Sequence, residues 1–589
     1  MNKKKYRKKE YSVRPVSDLK QLLNTSAGLY GNKAAFLIKN EPGGNYEPVS
    51  YARFKKDVEG LGTAMAMMGL QGKRVAVVGE NSYWWVVSYF AVTTGIGTVV
   101  PIDRELQPKE ISGLLKTANV SAVFTGEKLG DKVSEALSML DNVKKVILMD
   151  QRKNKDFEFK NSKGELIEKF EITKLTEEGD RAMEAGMLDY LQAEVDPESL
   201  CAVLFSSGTT GMAKGIMLSH RNLVANVINM SKYVEVTTED VGLSVLPMHH
   251  AYEMTCHILT GLYQGLAIAI CEGLKHIQKN MVESRTSVML SVPLIFETIY
   301  KKMWKTAISQ GKDEKLRTMI EVSKKAKLYN KPKIVKKIFE PLHNSLGGHI
   351  RLLIAGGASI DPRVIEDFQA MGFHMIQGYG MTENAPIIAV NKDRYSKASS
   401  AGLPMPETEV QVIHKDREGI GEIIVRGPSV MMGYLDNTQA TRETIVDGWL
   451  HTGDLGYMDK DGFLYVAGRK KNVIVTKNGK NIFPEEVEFA LAQSPYIAEV
   501  LVHGEEDRKT GDVIVKAEIY PNYDNIKEDK GDLEKEDLKN ILKEVIDEVN
   551  EEMPLYKRVR RFGIRTKDFE KTTTRKIKRH VESNFRGEE

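Results

Sequence analysis

Short runs of β-branched and apolar residues recur between longer amphipathic segments: RVAVVG at 74–79, SAVFTG at 121–126, KKVILMD at 144–150, CAVLF at 201–205 and RLLIAGG at 351–357. Runs this short, with little polar alternation, suit strands buried on both faces, and such strands need helical crossovers. The alternation therefore predicts an α/β fold, with sheets covered by helices. Around 401–435 the spacing tightens to EVQVIH and GEIIVRG with turn residues between them, which predicts a β-rich subdomain over about 400–468. A second transition follows Gly468, where the polar Arg469 to Asn472 separates one strand from a new strand, turn and Pro-Glu-Glu helix start. The chain is long enough for two domains at 589 residues. We expect a large N-terminal domain over 1–468, built of α/β subdomains plus the β-rich one, and a small α+β C-terminal domain over 469–589.

Charge and cysteine usage remove several function classes. Lys and Arg number 84 against 81 Asp and Glu, a formal charge of +3, which gives no reason to expect a nucleic-acid partner. Cys201, Cys256 and Cys271 have apolar neighbours and no CxxC spacing, so they read as reduced core thiols of a cytoplasmic protein, without zinc or disulfides. The basic start MNKKKYRKKEY has no apolar stretch behind it and is not a secretory signal. It reads as a solvated tail or as a tether to the inner face of an anionic membrane. Asn81 to Ile102 and Met254 to Cys271 lack formal charges, but each contains glycine and reads as a helix joined to a buried strand, so a soluble protein is expected. Residues 301–337 carry many Lys and Arg and few acids. They read as the solvated face of a helical insertion, or more sharply as a surface for a polyphosphate ligand or anionic lipid.

The stretch SSGTTGMAKG at 206–215 has the composition of a phosphate cradle. Gly208 and Gly211 permit tight backbone geometry, Ser206, Ser207, Thr209 and Thr210 supply hydroxyls, and Lys214 adds a point charge. An ordinary P-loop needs Ser or Thr directly after its lysine, and Gly215 stands there. No GxGxxG follows an early strand, so a Rossmann dinucleotide enzyme loses its main support. Alone, the stretch is equally a surface loop.

The rest of the chain decides between these readings. SSGTTGMAKG resembles the phosphate-loop signature of the adenylate-forming superfamily of acyl-CoA synthetases, adenylation domains and luciferases. Further signatures follow in that family's order: LPMHHAYE at 246–253, AGGA at 355–358, QGYGMTE at 377–383, GEIIVRGPSVMMGYL at 421–435, GWLHTGDLG at 448–456, GRKKNVIV at 468–475 and KTTTRKIKR at 571–579. ENSYWWVVSYFAVTTGIGTVVP at 80–101 matches the family's early helix-to-strand region.

The resemblance implies an enzyme that uses ATP to turn a carboxylate into an acyl-adenylate and passes the acyl group to a thiol, with Mg²⁺ as cofactor. It implies that loop 206–215 holds the β and γ phosphates and releases pyrophosphate, and that Thr209 and Glu383 hold the Mg²⁺. It assigns Ala358, Gln377, Gly378, Tyr379, Gly380 and Thr382 to adenine and the α-phosphate, with Tyr379 against the purine and the glycines admitting the backbone to the nucleotide. Asp454 matches the carboxylate on the ribose hydroxyls, and Arg469 a ribose or phosphate contact. His250 matches a position beside the acyl pocket. Lys576 matches the catalytic lysine of a mobile C-terminal domain that turns about a hinge at Lys471. Arg575 stands where the family usually has glycine, and Asn472 where it has an acid. From the residues alone, His249 and His250 are expected to point apart on a strand or turn, without metal.

Glu253, where many members have glycine, resembles the long-chain fatty acyl-CoA synthetase branch. The implied pocket lies between the LPMHHAYE strand, the helix after it and the segment leading to GYGMTE. Residues 254–300 supply Met, Leu, Ile and Val but no obvious buried base for a polar acid, which favours an apolar acyl chain. The expected reaction is ligation of a long-chain fatty acid to CoA. Medium-chain or aryl acid ligation, transfer to an acyl carrier protein, and an inert lipid-binding relative are the rivals. Fatty acid, ATP and CoA are the expected partners, with peripheral membrane contact and a homodimer as further readings.

Overall fold

The buried runs assemble into two large mixed sheets. The computed structural model describes all residues except 1–8, 151–156, 207–212, 477–479, 508–511, 532–533, 572–576, 580 and 588–589. Lys73–Val78 lies between Gly97–Ile102 and Ala122–Thr125, parallel to both, with Val75 opposite Val99 and Ala122. The sheet continues through Lys145–Leu148 to Glu168–Glu171 on one side. On the other it passes through Leu200–Ser206 and Lys214–Ser219 to the short strand Gly433–Tyr434. Val75 to Val78 are fully buried, as expected of a strand covered on both faces.

The second sheet has nine strands among the described residues. Its centre is the parallel set Ala267–Ile270, Val241–Ser244, Val288–Ser291, Leu352–Ala355 and His374–Gly380. Ligands of open α/β sheets bind beyond the C-terminal ends of such strands. The loops carrying LPMHHAYE, AGGA and GYGMTE leave at those ends. The chain then forms the β-rich region, where Glu409–Ile413, Gly421–Arg426, Trp449–Met458 and Leu464–Arg469 pair antiparallel in succession. A small C-terminal domain closes the chain, with Ile497–Glu506, Val513–Pro521 and Val559–Ile564 in one sheet under the helices Pro484–Leu491 and Lys535–Glu551.

Both charge-free stretches resolve into a helix and a strand, as their glycines indicate. Tyr83–Ala91 passes through a π-helical turn, Val92–Ile96, into the strand Gly97–Ile102. Thr260–Gln264 ends at Gly265, φ +91°, before the strand Ala267–Ile270. Among the described residues no helix is long and apolar enough to cross a membrane. The basic stretch is helical too: Pro293–Ser309, Asp313–Lys325, Pro332–Ile338 and Glu340–Ser345 form an arm inserted between the strands Val288–Ser291 and Leu352–Ala355.

Helix Tyr51–Met67 packs on helix Ile172–Glu184 at a distance that only glycine permits. A Cβ on Gly179 would stand 1.8 Å from the backbone oxygen of Gly60. Alanine in a helix is favoured over glycine by about 1 kcal/mol, but forcing atoms into a filled contact costs about 1–3 kcal/mol. Because the obstructing atom is backbone, the clash wins. Gly179→Ala is predicted to lower the thermal unfolding midpoint; an equal or higher midpoint would contradict this packing.

Candidate active site

An open cleft of about 5560 Å³ lies at the C-terminal ends of the nine-stranded sheet and extends between the large domain and the small one. Every described residue that the resemblance assigns to the nucleotide, the metal, the acyl pocket or the hinge borders it: Ser206, Lys214, His250, Ala358, Gln377 to Gly380, Thr382, Glu383, Asp454, Arg469 and Lys471. Ser207, Gly208, Thr209, Thr210, Gly211 and Lys576 lie outside the described residues. The frames around both gaps are in place. Ser206 and Lys214 pair across the antiparallel hairpin that carries the phosphate-loop sequence. Lys571 and Ile577 pair across the segment that carries Lys576, and both border the cleft.

Asp454 joins the β-rich sheet to the nine-stranded sheet. Its side chain is 6% exposed on the strand Trp449–Met458. Tyr379, near the end of the strand His374–Gly380, donates its hydroxyl to Asp454 Oδ2 at 2.5 Å. Arg469, where the chain leaves the β-rich region, sets Nε 2.7 Å from Asp454 Oδ1. Burial, and then the neighbouring carboxylate, push the Tyr379 phenol well above its ordinary range, so it remains a proton donor. Lys471 follows on the turn Lys470–Asn472. Its ammonium is held below the usual lysine value by burial first and then by Arg469, with Asp454 opposing and Arg579 adding to the effect.

A second network surrounds Glu383. The pairing of Tyr434 with Ile216 brings the Tyr434 ring under the Lys214 ammonium, 4.7 Å from the ring centroid. The Tyr434 hydroxyl donates to Glu383 Oε1 at 3.0 Å, and the Met431 amide donates to the Glu383 carbonyl at 2.9 Å. Tyr434 was not singled out as a site residue, although it stands inside the GEIIVRGPSVMMGYL motif. Its role depends on a strand pairing between residues more than 200 positions apart. Asn81 was missed for the same reason: its side chain donates to the Leu246 carbonyl at 2.6 Å and accepts from the Met248 amide at 3.0 Å. It thereby fixes the entrance of the turn that carries both histidines.

The structure corrects two expectations, the divergence of the paired histidines and the helix expected to wall the pocket. His249 and His250 do not point apart: their rings lie 4.1 Å apart at 47°, because they sit in a turn closed by the His250 amide on the Pro247 carbonyl. Among the described residues no group of three or more His, Cys, Asp or Glu could hold a metal. Gly378 and Gly380 also permit close approaches within the protein. A Cβ on Gly380 would stand 2.1 Å from the Pro386 carbonyl oxygen, and one on Gly378 3.1 Å from that of Ala389. Glu253 faces the interior, fully buried and 2.9 Å from His257 Nδ1. The helix after LPMHHAYE does not wall the cleft beyond Tyr252: apolar on nearly all sides, Met254 to Leu262 pack in the core.

The apolar wall comes from the helical arm. Met303, Trp304, Leu316, Ile320, Phe339 and Leu342 of the arm supply an apolar branch of the same cleft that Gly357 to Ile360, Ala358 among them, also line. Tyr252 closes the other wall, with its ring where a Cβ on Gly356 would need to be. The cleft thus combines a polar end rich in anion-binding groups with an apolar end.

Glu383 presents a hard carboxylate oxygen at the polar end and belongs to no group of three or more His, Cys, Asp or Glu among the described residues. This donor set fits Mg²⁺, which commonly takes one or two protein oxygens and completes its shell with phosphate and water.

Comparison with known proteins agrees with this geometry. The model of the AMP-binding enzyme family matches residues 23–435, and that of the AMP-binding enzyme C-terminal domain matches 471–587. The peroxisomal long chain acyl-CoA synthetase 7 of Arabidopsis thaliana is 27% identical over 78% of this chain and 67% of its own. The chloroplastic long-chain-fatty-acid–[acyl-carrier-protein] ligase AEE15 of the same plant is 25% identical over 88% of this chain and 78% of its own. Among solved structures, the anthranilate CoA ligase AuaEII in complex with anthranoyl-AMP superposes with a TM-score of 0.73 over 98% of both chains, at 19% identity, which establishes a shared fold. Matched in both its large and its small domain, this chain belongs to the AMP-binding enzyme family.

Proposed function

We propose that this chain is an AMP-forming long-chain fatty acid:CoA ligase. Adenylate-forming acid–thiol ligation is the reaction class that family membership supports. The apolar branch supplied by the helical arm carries the choice of acid: it adds Met, Trp, Leu, Ile and Phe side chains to the same cleft as the nucleotide end. The long-chain relative supports the same choice.

In this reading a carboxylate oxygen attacks the α-phosphorus of ATP and pyrophosphate leaves, giving the acyl-adenylate. The CoA thiol then attacks the acyl carbon, loses its proton, and AMP leaves. Both steps load charge onto phosphoryl oxygens, so cations and amide donors matter more than a protein nucleophile. Asp454 would exchange its contacts with Tyr379 and Arg469 for the ribose hydroxyls. That frees the Tyr379 ring for the purine and Arg469 for ribose or phosphate, while Ala358, Gln377, Gly378, Gly380 and Thr382 line the adenine and α-phosphate side. Ser206 and Lys214 flank in sequence the stretch that would take the β and γ phosphates, which contains Ser207, Gly208, Thr209, Thr210 and Gly211. Glu383 and Thr209 would hold Mg²⁺, which when bound neutralises charge on the phosphate oxygens. His250 stands at the junction with the acyl end. Lys576 would neutralise the carboxylate and α-phosphate charge during the first step. The small domain, from 469 onward, would then turn about Lys471 and open the thiol route.

A second reading is transfer to a carrier protein, which the carrier-protein ligase among the relatives favours. AMP release by the purified protein with ATP, Mg²⁺ and a panel of carboxylic acids, with and without CoA, separates the two. Long-chain acids are predicted to release AMP and to yield acyl-CoA. Failure of every fatty acid contradicts the proposal, and acyl-AMP that accumulates without acylating CoA selects the carrier-protein reading. Lys576→Ala is predicted to slow acyl-AMP formation by about 10²–10³-fold while leaving thioester formation from supplied acyl-AMP much less affected. Equal losses in both steps would reject its role.

A further inference from the structure

The lysine-rich end of the helical arm takes no part in the ligation chemistry described above. It consists of the helix Asp313–Lys325, the single turn Leu328–Asn330 and the helix Pro332–Ile338, each in contact with the next. The buried side chains of these elements show which way the arm faces. Leu316, Ile320 and Ser323 pack inward on the first helix, and Val335 packs inward on the second, filling the space where a Cβ on Gly372 would stand 2.7 Å away. In an α-helix, a residue two positions from a buried one points to the opposite side. Val322, Lys325, Lys333 and Lys337 all stand two positions from a buried neighbour and are exposed.

This outer ridge has an unusual composition. Val322, Tyr329, Ile334 and Ile338 are 54%, 46%, 49% and 39% exposed, although side chains of this size usually pack away from water. Between Val322 and Phe339 there are seven lysines and no acid. Lys324 pairs with Asp367, and Lys336 donates to the Gly348 carbonyl. Lys325, Lys327, Lys331, Lys333 and Lys337 are exposed and have no ion-pair partner among the described residues. The ridge also communicates with the cleft. Ile338 belongs to both, and Phe339 and Leu342 continue inward from it along the apolar branch.

We propose that this ridge docks on an anionic phospholipid surface, with the five lysines over the headgroups and Val322, Tyr329, Ile334 and Ile338 in the interface, so that an acyl chain passes from the bilayer past Ile338 into the apolar branch. Charge decides the occupant. A second copy placed symmetrically on the ridge would set lysines against lysines, since a two-fold interface brings one patch against itself. A polyanion without an apolar phase leaves the four exposed hydrophobic side chains in water. An anionic bilayer satisfies both sets, because basic side chains near its surface are attracted and apolar ones insert at the headgroup boundary. The docking itself does not depend on the ligase reading; the delivery of an acyl chain does.

Flotation of the full-length protein with phosphatidylcholine vesicles, with and without phosphatidylglycerol, tests the docking. Binding is expected only with phosphatidylglycerol present, and it should weaken as salt rises. The combined Lys325→Gln, Lys331→Gln and Lys333→Gln variant should lose about fivefold in partitioning per lysine, roughly a hundredfold together. Tyr329→Ser with Ile334→Ser should lose about tenfold or more. None of these side chains lines the cleft, so AMP release with a freely dissolved acid should be unchanged in both variants, whereas AMP release from a long-chain acid loaded into the anionic vesicles should fall with the binding. Undiminished flotation in both variants overturns the proposal. So does a wild-type dimer, seen by sedimentation without lipid, that the same substitutions dissociate. If the ligase reading fails, no AMP appears in either format, while flotation still reports on the ridge.

Discussion

One buried carboxylate holds the candidate site in register. Asp454 accepts from Tyr379 on the nine-stranded sheet and pairs with Arg469 at the exit of the β-rich region, two residues before Lys471. Two sheets meet at that side chain. A nearly buried charge is tolerated only when its lone pairs are occupied, so removing either partner leaves a costly group behind. The same requirement suits the site to a ligand. In the proposed function, a nucleotide whose ribose hydroxyls replaced the Tyr379 hydroxyl would keep the carboxylate satisfied and would release an aromatic face and a guanidinium toward base and phosphate.

The rest of the scaffold delivers the other groups to this point. The parallel strands of the nine-stranded sheet end together, so the loops after Ser244, Ala355 and Gly380 open on one cleft. Strand Gly433–Tyr434 leaves the β-rich region and joins the other large sheet, which places Tyr434 between Lys214 and Glu383. The phosphate-loop hairpin is thereby tied to the carboxylate proposed to hold the metal ion. The small domain borders the same cleft through Lys571, Ile577, Lys578 and Arg579. Arg579 also donates to Glu488 and to the Val502 carbonyl, which fixes the frame around Lys576 to the small domain's own core.

Much of this was legible in the sequence, for an identifiable reason. Strand runs such as RVAVVG and RLLIAGG are read from local pattern, and the glycines within the two charge-free stretches marked the helix-to-strand junctions that exclude membrane spans. The motif residues Tyr379, Glu383, Asp454 and Arg469 were found because they lie in contiguous signatures. What was not legible depends on contacts distant in sequence. Tyr434 and Asn81 gain their roles through a pairing and a loop contact that no local pattern encodes. The helix after LPMHHAYE reads as a pocket wall because it is apolar, yet composition cannot separate a core helix from a pocket wall. The paired rings of His249 and His250 show the same limit at short range, because alternation of side chains holds for a strand and fails in a tight turn. The apolar wall came instead from a helical arm whose lysines had drawn attention to its outer face.

The central claim is that the cleft around Asp454 activates a fatty acid by adenylation. Exchange of labelled pyrophosphate into ATP isolates that half-reaction, because it requires the acyl-adenylate to form and revert and needs no thiol. The account predicts exchange that depends on a long-chain fatty acid, proceeds without CoA and collapses in Asp454→Ala. Exchange that is absent with every fatty acid, or that persists undiminished in Asp454→Ala, would contradict it.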